Sequence, residues 1–228
     1  MKVSPSLYSS SLTIEETVSQ IRNTLSEYIH IDIKNSKNLD KVEKDVKIIR
    51  DNCDLLVDVH LIDKKPLEKL DQIKRISPDL IAIQYEDLEN PSDFYEIRKA
   101  IPRTGIAITK STDFEKIRDI IDSSSYVLLM TTTPGESGGS FSQENLDWIK
   151  KFKVCFPEKK VHVDGGVDDI VSDKIRDLNI DCIVSGSYLM RASSMIASVL
   201  KLKGIKSSSK LEETMISLDH IPKISSKE

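Results

Sequence analysis

Histidine and aspartate side chains occur at spacings where they could bind a metal or transfer a proton. In "YIHIDIKN", residues 28–35, three isoleucines alternate with His30 and Asp32. Side chains two residues apart share one face of a β-strand, so one face here is aliphatic and the other carries an imidazole beside a carboxylate. An exposed polar strand face is one interpretation of the pair, and a metal or proton-transfer site is the other.

Eight short β-branched segments alternate with amphipathic ones and predict the elements that position these residues. The strand candidates are "KVSPSL", "YIHIDI", "LLVDVHLI", "LIAIQYE", "TGIAIT", "YVLLMTT", "KVHVDGG" and "CIVSGS". Helical spacing is found over residues 14–25, 39–50, 67–76, 114–121, 146–152 and 170–178. This alternation favours an α/β fold with a parallel sheet. Eight units in about 200 residues are typical of a (β/α)8 TIM barrel, and an open doubly wound sheet is the alternative.

Composition indicates one soluble domain. Hydrophobic residues make up 39% of the 228-residue chain and charged residues 31%, with a net charge of −4. This balance gives no electrostatic basis for binding nucleic acid or an anionic membrane. No break in composition divides residues 1–204, which we predict to be the barrel domain, whereas residues 205–228 are polar and typical of a tail with at most one short helix.

The chain also lacks the usual signals for export or membrane insertion. No apolar stretch approaches the roughly 20 residues of a membrane helix, and the N-terminal residues contain no apolar signal core. The three cysteines are far apart and form neither a CxxC motif nor a disulfide framework. We therefore expect a cytoplasmic protein.

A barrel would bring the polar strand residues together. The C-terminal ends of the strands face the active site of a TIM barrel. His30 and Asp32 lie towards this end of the second strand, His60 of the third and Asp164 of the seventh. Because buried polar groups are costly unless they are paired or bind a metal, two imidazoles and two carboxylates at one mouth suit Zn²⁺, Mn²⁺ or Fe²⁺. A structural polar layer is the alternative.

Glycines add a second signal. The segments "PGESGG", "VDGGV" and "SGS" follow the sixth, seventh and eighth strand candidates. Backbone N–H groups in such turns bind anions, and TIM barrels often hold phosphate at the loops after strands seven and eight. Tight turns that need glycine for conformational reasons are the alternative, but three such loops on consecutive strands favour a phosphate site.

Six motifs follow one another along the chain: "SPSL", "HIDI", "DVHLI", "LLMTTTPGESGG", "VHVDGGV" and "IVSGSYLMR". Together they resemble the ribulose-phosphate 3-epimerase family. They occur in the family's order, and the resemblance extends to about residue 200. The resemblance implies a TIM barrel isomerase with one divalent metal ion (Zn, Fe, Mn or Co) and a sugar phosphate substrate. The implied reaction inverts the carbon next to a ketone, converting D-ribulose 5-phosphate to D-xylulose 5-phosphate. We also expect a homo-oligomer.

The resemblance assigns roles to individual residues. The implied metal ligands are His30, Asp32, His60 and Asp164, and the implied acid/base carboxylates are Asp32 and Asp164. The implied substrate-binding residues are Ser6, His60, Met130, Gly135, Gly138, Gly165, Gly166, Gly186 and Ser187.

Several positions depart from the family pattern. Lys34 and Ile62 replace methionines, Gln84 replaces a histidine, and Glu136 enters the glycine loop. These changes keep open an epimerase for another ketose phosphate, such as a ketohexose 6-phosphate, and a non-catalytic sugar-phosphate-binding paralogue. "DIK" also resembles the Asp-x-Lys motif of related decarboxylases and aldolases, but it lies on the second strand instead of the third.

Two polar residues lie deeper on the same strands as the proposed ligands. Asp58 and His162 precede His60 and Asp164 by two residues, so they share the same strand faces. A buried contact between Asp58 and His162 is one structural interpretation of this pair.

Overall fold

Eight parallel strands form the barrel in the computed structural model, which describes residues 1–35 and 38–206. The strands are β1 Lys2–Pro5, β2 Tyr28–Lys34, β3 Leu56–Ile62, β4 Leu80–Gln84, β5 Thr104–Thr109, β6 Val127–Met130, β7 Val161–Asp164 and β8 Cys182–Ser185. Each pairs with its neighbour in sequence from β2 to β8, and β8 pairs with β1. The parallel bridge between Ser6 and His30 brings β1 to β2, so the TIM barrel prediction is confirmed.

Helices connect these strands on the outside of the barrel. They are α1 Ile14–Arg22, α2 Leu39–Asn52, α3 Leu70–Ile76, α4 Asp93–Ala100, α5 Arg118–Ser123, α6 Gln143–Cys155, α7 Asp169–Ile175, α8 Ser187–Met190 and α9 Met195–Leu202. Short 3-10 turns cover Leu7–Ser9, Pro66–Lys69, Tyr85–Asp87 and Arg176–Leu178. Helix α1 begins with a capping box in which Thr13 and Glu16 exchange hydrogen bonds, which fixes where the first crossover starts.

Two apolar layers hold the fold together. The larger lies between the sheet and the helices and contains the isoleucines of β2, which are at most 1% exposed. The smaller lies inside the barrel and includes Tyr28, Tyr126 and Leu128. Because side chains alternate along each strand, the polar residues between the isoleucines of β2 point into the barrel.

No helix in the described ranges is long and apolar enough to cross a membrane. Residues 207–228, which make up most of the predicted polar tail of residues 205–228, lie outside the described residues.

Candidate active site

The strand register brings four predicted site residues to one point at the C-terminal mouth. Asp32 of β2 is paired with His60 of β3, and His30 lies two residues before Asp32 on the same strand face. Asp164 ends β7 and approaches from across the barrel. One ligand atom from each of His30, Asp32, His60 and Asp164 lies within 4.8 Å of the other three, so this His/Asp cluster could hold a metal ion.

Asp58 orients the imidazole of His30. The Nδ1 atom of His30 lies 3.1 Å from Oδ2 of Asp58, whose Oδ1 accepts a hydrogen bond from the Tyr126 hydroxyl at 3.3 Å. A carboxylate at Nδ1 favours the proton there, which leaves the Nε2 lone pair free. In place of an Asp58–His162 contact, the structure has one between Asp58 and His30, because the β2–β3 register pairs these two positions.

Gln84 fixes the second imidazole in a similar way. The Nε2 atom of His60 lies 2.7 Å from Oε1 of Gln84, and the Gln84 amide nitrogen donates to Glu86. Since Oε1 can only accept, the proton of a neutral His60 lies on Nε2. The Nδ1 lone pair then points at Oδ1 of Asp32, 3.0 Å away. Two acceptors facing each other require a proton or a cation between them.

These contacts fit a metal ion. The Nε2 atom of His30 is buried without a hydrogen-bond partner among the described residues. It faces Oδ1 of Asp32 at 3.5 Å and Oδ2 of Asp164 at 3.7 Å. Two imidazole nitrogens and two carboxylates are a common donor set for Zn²⁺ and Fe²⁺, and each imidazole has the outer-shell partner that metal-binding histidines typically have.

The two carboxyl groups of the cluster have pKa values that are shifted in opposite directions. Burial opposes ionisation of Asp32, but His30 and His60 outweigh it and hold the pKa of Asp32 well below its ordinary value. Burial raises the pKa of Asp164 to about 6, with His30 opposing the shift and the Asp32 charge adding to it. Burial lowers the pKa of His30, yet Asp32 and Asp58 reverse this and raise it well above 6.5.

A cavity of about 700 Å³ opens beside the cluster. Every predicted substrate-binding residue except His60, which is buried beneath the cavity, contributes to its lining: Ser6, Met130, Gly135, Gly138, Gly165, Gly166, Gly186 and Ser187. Gly165 has φ +116°, and a Cβ there would lie 2.7 Å from the backbone nitrogen of Thr132. A side chain would therefore not fit at this point of the wall.

Charged side chains surround the same cavity. Lys34 and Glu136, two of the departures from the family pattern, are exposed and line it near Gly135. Arg191 and Lys201 line it as well. The sequence did not assign Arg191 a position, and it follows α8 directly as the C-terminal cap residue of that helix.

A TIM barrel with a His/Asp cluster and a glycine-lined cavity at its C-terminal mouth belongs to the class of barrel enzymes that place catalytic residues at strand ends. The model of the "Ribulose-phosphate 3 epimerase family" matches residues 2–190, and the chain belongs to this family of isomerases. Named ribulose-phosphate 3-epimerases resemble the chain over nearly their full length. The protein from Helicobacter pylori is 25% identical, covering 91% of this chain and 99% of the relative. The one from Schizosaccharomyces pombe is 27% identical, with coverages of 85% and 88%.

Solved structures share the fold at lower identity. Phosphoribosyl anthranilate isomerase from Thermotoga maritima superposes with a TM-score of 0.66 at 15% identity, covering 90% of this chain and 100% of that one. A 3-hexulose-6-phosphate synthase superposes with a TM-score of 0.65 at 14% identity and the same coverages. These similarities show the barrel fold.

Proposed function

We propose that the chain is a metal-dependent epimerase that interconverts D-ribulose 5-phosphate and D-xylulose 5-phosphate through an enediolate. Family membership supports epimerisation of a pentulose phosphate. The observation that carries the mechanism is the pair of carboxylates, Asp32 and Asp164, which approach His30 Nε2 from two different strands. Their pKa values lie on opposite sides of the ordinary value, as expected for a base and an acid.

The two carboxyl groups have complementary tasks in this mechanism. Oδ1 of Asp32 faces both imidazoles, so we assign Oδ2 to the substrate. The ionised Asp32 takes the proton from the carbon next to the ketone, and the protonated Asp164 returns a proton to the opposite face of that carbon. The roles exchange in the reverse reaction.

The metal ligands in this proposal are His30, Asp32, His60 and Asp164. When bound, the divalent metal supplies positive charge that stabilises the negative charge of the enediolate. Asp58 and Gln84 keep the two imidazoles in the tautomers that metal binding needs.

The glycine loops suit the phosphate end of the substrate. Backbone N–H groups around Gly165, Gly166, Gly186 and Ser187 line the cavity, and we assign them to the phosphate. Arg191 and Lys201 in the same wall add positive charge.

Asp164→Asn tests the two-carboxylate mechanism. The amide is nearly isosteric but cannot transfer the proton, so we expect kcat for ribulose 5-phosphate to fall by about 10²–10⁴-fold. Exchange of solvent deuterium into ribulose 5-phosphate should continue, because Asp32 can still remove the proton and return a deuteron to the same face. Metal content is measured on the same sample, so that loss of metal is distinguished from loss of the acid.

The matched control for this variant is Asp168→Asn. Asp168 lines the same cavity and caps α7 through the backbone nitrogen of Val171, and asparagine can also cap. Its kcat should stay within a few-fold of the original. An Asp164→Asn protein that retains full activity with full metal would show that Asp164 is not the acid.

A second candidate substrate is a longer ketose phosphate, such as a ketohexose 6-phosphate. The supporting observation is Lys34, whose exposed ammonium-bearing side chain lines the cavity where the family pattern has methionine. A hydrogen bond from a charged group to an additional hydroxyl would contribute about 1.5–3 kcal/mol.

Lys34→Met distinguishes the two substrates. If Lys34 binds a hydroxyl found only in the longer sugar, the variant should lower kcat/KM for the ketohexose phosphate about 10- to 100-fold and leave the pentulose phosphate nearly unchanged. Equal effects on both sugars would exclude this selectivity. Binding of either sugar to the original protein without any deuterium exchange would indicate a non-catalytic paralogue.

A further inference from the structure

The N-terminal end of the barrel contains a small cavity of about 110 Å³, which shares no lining residue with the cavity at the other mouth. Its lining includes Lys2, Tyr28, Arg103, Lys160, His162 and Asp181, and we call it the basal pocket. A water molecule occupies about 30 Å³ in the liquid, so the pocket has room for three to four waters or for one small polyatomic ion.

His162 lines this pocket and carries a buried polar atom without a partner among the described residues. His162 is 4% exposed, and its ring stacks on Tyr126 with the ring centroids 4.3 Å apart. The Nδ1 atom is buried and has no hydrogen-bond partner among the described residues. Leaving such a group unpaired costs about 1–3 kcal/mol, so a bound ligand or water is expected there.

The hydroxyl group of Tyr28, at the start of β2, is a second hydrogen-bond donor at this pocket. The Lys2 ammonium donates to the Tyr28 hydroxyl at 2.9 Å. Because that oxygen acts as the acceptor, the hydroxyl hydrogen of Tyr28 is left for another partner. Tyr28 is 2% exposed, so this hydrogen also needs its partner within the pocket wall or the pocket itself.

The charge of the lining is positive although the chain as a whole carries −4. Lys2, Arg103 and Lys160 contribute three positive charges, and Asp181 contributes one negative charge. One Asp181 oxygen already accepts from the backbone nitrogen of Val161 at 2.9 Å. Within the described ranges, neither the Arg103 nor the Lys160 side chain forms an ion pair, so both are available to an anion.

We propose that the basal pocket binds a small tetrahedral oxyanion of the inorganic phosphate type. Arg103 and Lys160 supply charge at the rim, and His162 Nδ1 and the Tyr28 hydroxyl donate from the buried wall. A protonated phosphate oxygen can in turn donate to Asp181, which offsets the repulsion from that carboxylate. This site is separate from the phosphate end of the substrate cavity.

Histidine-selective and backbone ¹⁵N NMR of the full-length protein tests the proposal with inorganic phosphate as the probe. Ionic strength is held constant with sodium chloride. We expect the His162 imidazole nitrogens to shift in a saturable way as phosphate is added. The Gly186 amide is followed in the same spectra as a separate reporter of the substrate cavity, so failure of either phosphate site is seen independently of the other.

Paired charge variants assign the His162 response to the basal pocket. The double variant Arg103→Gln/Lys160→Gln should weaken the His162 response at least about tenfold and leave the Gly186 response and the epimerase activity unchanged. The matched control Lys74→Gln/Lys150→Gln removes two exposed charges outside the pocket and should bind phosphate as the original does.

Three outcomes would overturn the proposal. One is the absence of a saturable His162 shift, which would mean that water alone fills the pocket. Another is an equal shift with chloride at matched ionic strength, which would indicate charge screening. The third is an unchanged His162 response in Arg103→Gln/Lys160→Gln.

Discussion

The carboxylate of Asp58 orients His30, one of the proposed metal ligands, without belonging to the His/Asp cluster itself. It is 1% exposed and lies 3.1 Å from Nδ1 of His30, while the Tyr126 hydroxyl bonds its other oxygen. Burial alone would raise the pKa of Asp58, but the hydrogen bond and charge of His30 lower it. Asp58 is therefore ionised at neutral pH, and its charge increases the electron density of the imidazole that faces the proposed metal site.

Replacing Asp58 with asparagine should weaken metal binding about tenfold, the lower end of the usual effect of such outer-shell changes. The amide can still accept the Nδ1–H bond, so mainly the negative charge is lost. The measurement is a competition titration with a metal chelator. Tyr126→Phe is the matched control, because it removes the bond to the other Asp58 oxygen and leaves the His30 contact in place. Equal metal affinity in Asp58→Asn and the original protein would contradict the assignment.

The four residues of the cluster could be identified from sequence, but their partners could not. Residues such as His30 and Asp32 share a strand face by the two-residue repeat, and parallel strands in a barrel bring their C-terminal ends together. Which residue contacts Nδ1 of His30 depends on strand register and on rotamers. Asp58 and Gln84 therefore became recognisable as orienting residues only from the β2–β3 pairing and the contacts within the barrel.

At the scale of elements, the β8–α8 connection is built around a small residue. Gly186 precedes α8 and lines the large cavity together with Ser187. A Cβ at Gly186 would collide with the Ser9 side chain and lie 3.4 Å from the Cβ of Ser6. A larger residue must therefore displace this loop or fill the part of the cavity that we assign to phosphate.

Gly186→Val should weaken the binding of phosphorylated ketoses much more than the binding of the same sugars without phosphate. We expect a loss of at least about tenfold for the phosphorylated ligand, because charge-assisted bonds to backbone N–H groups are lost. Isothermal titration calorimetry with each phosphorylated sugar and its counterpart without phosphate measures this loss of affinity. Ser193→Val is the control, since Ser193 is exposed on the wall of the same cavity and lies outside the glycine loops. Equal weakening of both sugar types would argue against a phosphate site at this loop.

The start of α5 shows that helical periodicity in the sequence did not predict every helix boundary. Residues 114–121 have helical spacing, yet α5 begins only at Arg118. Phe114 instead packs in the preceding turn against Phe152 and Phe156 of the α6 end, with ring centroids 5.4 and 5.9 Å away. Tertiary packing of one aromatic ring thus replaced the first turn of the expected helix.

At the scale of the whole molecule, the cluster links folding to protonation. A folded pKa of about 6 for Asp164, against 3.8 for the free group, means that the folded chain binds the extra proton between these values. Stability from this group is therefore lost as pH rises through that window, by about 3 kcal/mol in total. The raised pKa of His30 acts in the same direction above pH 6.5, while the lowered pKa values of Asp32 and Asp58 remove stability as pH falls below 3.8.

We therefore expect the metal-free protein, prepared with a chelator, to lose stability as pH rises from about 4.5 to 8, and metal to reverse this trend. Metal competes with protons for Asp164 and His30, so the increase in Tm caused by metal should be larger at pH 8 than at pH 5. Thermal unfolding at both pH values, with and without Zn²⁺ or Mn²⁺, measures it. In metal-free Asp164→Asn, which has no carboxyl to titrate there, the fall between pH 4.5 and 6 should disappear. A metal-induced Tm increase that is the same at pH 5 and pH 8 would show that metal does not displace protons from Asp164 and His30. The cluster would then be a structural polar layer.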